Sequence, residues 1–96
     1  MNIRYKAKGV GFHFTLENLP NIQNIPQLWG PISERFNTLE EYVLDATTRH
    51  QGLIRMAGTN WLVVPFDHYF VSIEGIDLVL TEQGFNEMFE EEEEAI

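Results

Sequence analysis

Two apolar segments, Phe70-Val71-Ser72-Ile73 and Ile76-Asp77-Leu78-Val79-Leu80, are separated only by Glu74-Gly75. This spacing constrains the fold more than any other feature of the chain. A two-residue connection joins antiparallel strands, and its glycine supplies the positive φ that twist-matched turns require. Ile76, Leu78 and Leu80 then share one face of the second strand. Thr81 follows at once as a helix N-cap, with Leu80 before it and Phe85 at the fourth helical position as a hydrophobic staple. Phe85, Met88 and Phe89 make the apolar stripe of a helix predicted over 82–90, which Gly84 weakens by about 1 kcal/mol relative to alanine. Glu90 to Glu94 would place negative charge at the negative end of that helix's dipole, so 91–96 are expected to form a flexible acidic tail.

Upstream, Ile3, Tyr5 and Ala7 alternate with Arg4, Lys6 and Lys8, which predicts a strand with a basic outer face. Val10, Phe12, Phe14 and Leu16 predict a second strand that forms a hairpin with the first. Residues 18–33 contain Pro20, Pro26 and Pro31 with Asn18, Asn21 and Asn24, and read as a long ordered loop with a helical turn at 22–29. The loop's Leu19, Ile22, Ile25, Leu28, Trp29 and Ile32 are too apolar for a linker and must pack on the core or form a contact surface. Thr38 and Glu41 make a capping box for a helix over 38–50, with Arg49 and His50 at its negative end and Gly52 as its stop. Leu53 to Met56 and Trp61 to Val64, around Ala57-Gly58-Thr59-Asn60, predict another hairpin, interrupted by Pro65. The expected architecture is one α+β domain over 1–90. It has about six short antiparallel strands, in three hairpins, as a curled sheet or small open barrel with two helices.

The chain has 96 residues and no cysteine, which removes disulfides, thiolate metal sites and a cysteine nucleophile. Residues 1–8 lack the apolar core of a signal peptide, and no apolar run approaches the ~20 residues of a membrane helix. A cytoplasmic location is therefore expected. The net charge of −9 is unevenly placed. Acids and bases balance over 1–50, whereas over 51–96 Arg55 alone stands against ten acids. Such a half repels phosphate backbones, so a basic protein partner is expected rather than nucleic acid or membrane.

Few residues invite chemistry. His13, His50 and His68 lack the spacing of a metal site, and Asp67-His68, as neighbours on a strand, would point to opposite faces. Ser33 and Ser72 lack a nucleophile-elbow context, and the scattered glycines form no phosphate-cradling loop. No catalytic residue, metal or cofactor is expected.

Ile3-Arg4-Tyr5-Lys6-x-Lys8 at one end, and Pro65-x-Asp67, turn Gly75 and Phe85-x-x-Met88-Phe89-Glu90 at the other, resemble small uncharacterised phage and prophage proteins. The resemblance covers roughly half the chain and leaves 18–50 unmatched. Phe66 stands where that pattern has glycine, and Gly9 where it has proline. The resemblance implies a phage origin and a scaffold, with the host cytoplasm as its location, and carries no reaction. With the charge split, it leads to the expectation of a non-enzymatic acidic protein that binds and inhibits a host protein with a basic, nucleic-acid-binding surface, such as a defence nuclease complex. Glu82, Glu87, Glu90, Glu91, Glu92, Glu93 and Glu94 would act as a nucleic-acid mimic, and Ile25, Leu28 and Trp29 as the apolar anchor. The alternatives are an oligomer that sequesters a small anion with Arg4, Lys6, Lys8, Arg49 or Arg55, and a virion or morphogenesis accessory protein. Open strand edges also allow a homodimer.

Overall fold

The computed structural model describes residues 9–89. The strand expected over 3–8, its hairpin with the next strand, and the acidic tail lie outside the described residues.

The fold is α+β. Its strands are β1 (Gly9–Phe14), β2 (Gln51–Ile54), β3 (Leu62–Pro65), β4 (His68–Ile73) and β5 (Ile76–Thr81). A 3-10 helix (Leu19–Asn24), α1 (Pro26–Arg35) and α2 (Leu39–Arg49) lie between β1 and β2, and α3 (Glu82–Met88) follows β5. Among the described residues the strands form no barrel. They make a three-stranded antiparallel sheet in the order β1-β4-β5 and a separate β2-β3 hairpin. Five of the expected strands are therefore present, divided between two sheets.

Pairing of β1 with β4 sets Phe12 opposite Phe70 and Phe14 opposite His68. Alternation along β4 then divides the apolar residues between the two sheet faces. Phe70 joins Phe12, Phe14, Leu19, Ile22, Leu28, Ile32, Tyr42, Ala46, Ile54 and Val64 in the main core. Val71 instead joins Phe85 and Phe89, with Tyr69, Ile73 and Leu80 packed around them. The helices α1 and α2 and the β2-β3 hairpin thus cover one face, and α3 covers the other.

The segment expected to be a loop is largely helical. Ile25, Leu28, Trp29 and Ile32 follow the i, i+3, i+4, i+7 spacing of a helix, and burial of Leu28 and Ile32 overrides the prolines. Pro26 sits in the first turn, where its missing N–H costs nothing. Pro31 falls inside the helix and forfeits one backbone bond. Two turns, each closed by an amide that donates to Ile25 O, secure the entry: Leu28 N at 3.0 Å and Trp29 N at 2.8 Å.

The α2 boundaries follow the expected caps, with one revision. Glu41 N donates to Thr38 Oγ1 at 3.1 Å, while Glu41 Oε1 accepts from Asn37 N at 3.2 Å, one residue beyond the usual box. The left-handed stop is His50, at φ 57°, and not Gly52. Gly52 lies buried in β2, where a Cβ would collide with the Phe14 ring and sit 3.0 Å from the Tyr42 hydroxyl oxygen. It is glycine because two aromatic side chains occupy the space. The Tyr42 hydroxyl donates to Leu53 O at 2.8 Å, tying α2 to β2.

Candidate functional site

The chain's charge asymmetry becomes spatial in the fold. From Met56 to the C-terminus there is no lysine or arginine. This segment supplies β3, β4, β5 and α3; β3 pairs with β2 beside the arginines, so the acidic surface is made by β5 and α3. Glu74 stands at one end of β5 and Glu82 at the other, and Glu82 and Glu87 are exposed on α3. Gln83 Nε2 donates to Glu87 Oε2 at 3.2 Å, a surface contact of small energy. Ile76, at 61% exposure, pairs with Ile73 on the α3 face of the sheet, and Met88, at 46%, lies on α3, whereas Val79, at 37%, pairs with Phe70 and projects from the main-core face. Among the described residues β5 is an edge strand, so one row of its backbone groups faces outward beside them.

The structure separates the two halves of the expected binding site. Leu28 is 0% exposed and offers no surface, which removes it from the contact residues. Ile25 and Trp29 are half-buried against the main core, where Trp29 meets Tyr42 edge-on at 6.4 Å. All three belong to the face opposite α3. Glu82 and Glu87 are therefore not joined by the 25–29 anchor, and Glu90 to Glu94 lie outside the described residues. The exposed apolar side chains on the α3 side are Ile76 and Met88, which the sequence assigns to a strand face and a helix stripe.

The remaining polar residues have local partners. His13 stacks on Tyr69 at 4.0 Å, and Tyr69 stacks on Phe85 at 4.0 Å, so three rings run from β1 across β4 to α3. His50 meets Phe66 edge-on at 6.1 Å, and His68 Nδ1 lies 3.1 Å from Phe66 O. Asp67 is a turn residue at φ 68°, not a strand neighbour of His68, and its N–H donates to Phe14 O at 2.7 Å. Ser72 Oγ donates to Asp77 Oδ1 across the β4-β5 pair at 2.6 Å. Among the described residues no group of three or more His, Asp or Glu side chains gathers to hold a metal. No helix among them is long and apolar enough to cross a membrane.

The cations of the described residues gather on the main-core side of the sheet. Arg35 closes α1, Arg49 closes α2 and Arg55 follows β2. The Arg35 and Arg55 guanidiniums lie 5.4 and 4.9 Å from the centroid of the Trp61 ring. Trp61 is half-buried, packed on the core and flanked by these two charges. Arg55 reaches Glu34 at 3.8 Å, while its buried Nε has no hydrogen-bond partner. Burial, and secondarily the Asp45 charge, pushes the nearby Tyr42 phenol well above its ordinary pKa and keeps it a neutral donor.

No protein-family model, curated protein or solved structure matches the chain.

Proposed function

We propose that this is a non-enzymatic, phage-derived acidic binding protein that inhibits a host protein by occupying its basic, nucleic-acid-binding surface. The observation that carries the reading is the coincidence, along β5 and α3, of exposed acids with exposed apolar side chains and, among the described residues, no lysine or arginine on either element. Glu74, Glu82 and Glu87, continued by Glu90 to Glu94, steer the approach and supply negative charge in place of phosphates. Charge alone is screened beyond ~8 Å at physiological salt, so a stable complex also requires apolar contact. Ile76 and Met88 supply it, and β5, an edge strand among the described residues, offers backbone donors and acceptors beside them.

Affinity capture tests this. The immobilised protein and a Glu82→Lys/Glu87→Lys variant are each exposed to bacterial lysate at low and at high salt, and retained proteins are challenged with competing DNA. The proposal expects a basic protein held at low salt, released by DNA, and absent from the variant. Retention indifferent to salt, to DNA and to the substitutions would refute it.

A further inference from the structure

A groove of about 530 Å³ runs between the C-terminal ends of α1 and α2 and the β2-β3 hairpin. Its polar lining is Arg35, Arg49, Asp45 and Gln51, and its apolar lining is Phe36, Leu53 and Val63. The volume is within the range of small-molecule sites, and the lining combines an apolar wall with a few convergent polar groups. Each arginine has a local reason to be where it is, because a cation in the last turn complements the helix dipole. That accounts for their positions along the helices, and leaves open why α1 and α2 bring those ends to the same groove.

The two guanidiniums differ in what they can still bind. Arg49 Nε already donates to Asp45 Oδ1 at 2.9 Å. Arg35 has no carboxylate partner among the described residues, and its ring contact with Trp61 leaves the edge donors of the guanidinium available. Two guanidiniums against one carboxylate give the groove a single net positive charge. We infer that this groove is a second, independent binding site, for a small monocarboxylate with an apolar or aromatic body. Arg35 holds the carboxylate as a two-pronged donor, Arg49 and Gln51 flank it, and the body lies on Phe36, Leu53 and Val63. A dianionic phosphate is the poorer match, because Asp45 faces it and only one positive charge is unbalanced. Arg49 is the one groove residue that the sequence marked as a cation for small anions, and Arg35 was passed over.

3-Phenylpropionate is a suitable probe, with 3-phenylpropionamide as its uncharged counterpart and phenyl phosphate as the dianion. Binding is read from amide chemical shifts. The expected result is saturable shifts at 35, 36, 49, 51, 53 and 63, with a dissociation constant on the order of 1 mM for a ligand of this size. The amide should bind at least ~10-fold more weakly, as should the carboxylate to Arg35→Ala, with Arg35→Lys intermediate because it keeps the charge and loses the fork. Arg35 is exposed, so the variant should stay folded, with a melting temperature lowered by no more than a few degrees through loss of the dipole and Trp61 contacts. The inference is overturned by non-saturable or scattered shifts, by equal binding of acid and amide, by tighter binding of phenyl phosphate, or by full binding to a folded Arg35→Ala. None of these outcomes bears on the acidic end of the molecule.

Discussion

At the scale of single residues, glycine and tyrosine carry the tightest constraints. Gly52 was legible as a break but not as a packing site, because nothing local announces that Phe14 and Tyr42, distant in sequence, converge on it. Gly52→Ala should cost about 1–3 kcal/mol in urea unfolding, since the ring of Phe14 must move to admit the methyl group. The β4-β5 turn was fully legible. Its central residues, Glu74 at φ 53° and Gly75 at φ 83°, both adopt the left-handed region of a type I′ turn. Glutamate is a poor occupant of that conformation, and Glu74→Asn should raise stability by about 0.5 kcal/mol. Tyr42→Phe leaves Leu53 O without its donor and should cost about 1–2 kcal/mol. The raised pKa of Tyr42 also gives a signed pH effect. The folded state favours the neutral phenol, so its contribution is complete below the ordinary value of ~10 and is lost as pH rises beyond it. Stability of the wild type should therefore fall above that pH more steeply than stability of Tyr42→Phe.

Among elements, α2, the β4-β5 hairpin and α3 were readable, because cap, period and turn residues agree at each. The β2-β3 hairpin was legible in outline only, since its strands are Gln51–Ile54 and Leu62–Pro65 and Pro65 pairs with Gln51 instead of interrupting the ladder. Thr81 Oγ1 accepts from Gly84 N at 3.0 Å, as the cap predicts. The helix α1 was missed because Pro26 and Pro31 outweighed the spacing of Ile25, Leu28, Trp29 and Ile32, although a proline in the first turn is no obstacle to a helix. The pairing of β1 with β4 was not legible either, since contacts between strands so far apart in sequence leave no local mark. The α3 helix is short and is held by its own small cluster. Phe85→Ala should cost about 3–4 kcal/mol locally. Amide exchange over 82–88 should become unprotected while the Tyr42 and Ile54 amides of the main core remain slow.

Across the whole molecule, the central sheet separates two chemistries. On one side, with the main core, lie the described cations and the groove between the α1 and α2 ends. On the other, α3 and the edge of β5 make an acidic surface with exposed apolar side chains. The charge split along the chain was plain in the sequence, but its partition across a sheet depended on which strand residues face which way. Partition also separates the acids from Trp29, which joins the main core. The most direct test of the account is the salt dependence of binding to the captured partner, compared among wild type, Glu82→Lys/Glu87→Lys, and Trp29→Ala. The account predicts affinity that falls steeply with salt for wild type and for Trp29→Ala, and a weak, flat dependence for the charge-reversed protein. Loss of binding in Trp29→Ala, with full affinity and an unchanged salt slope in the charge-reversed protein, would contradict it.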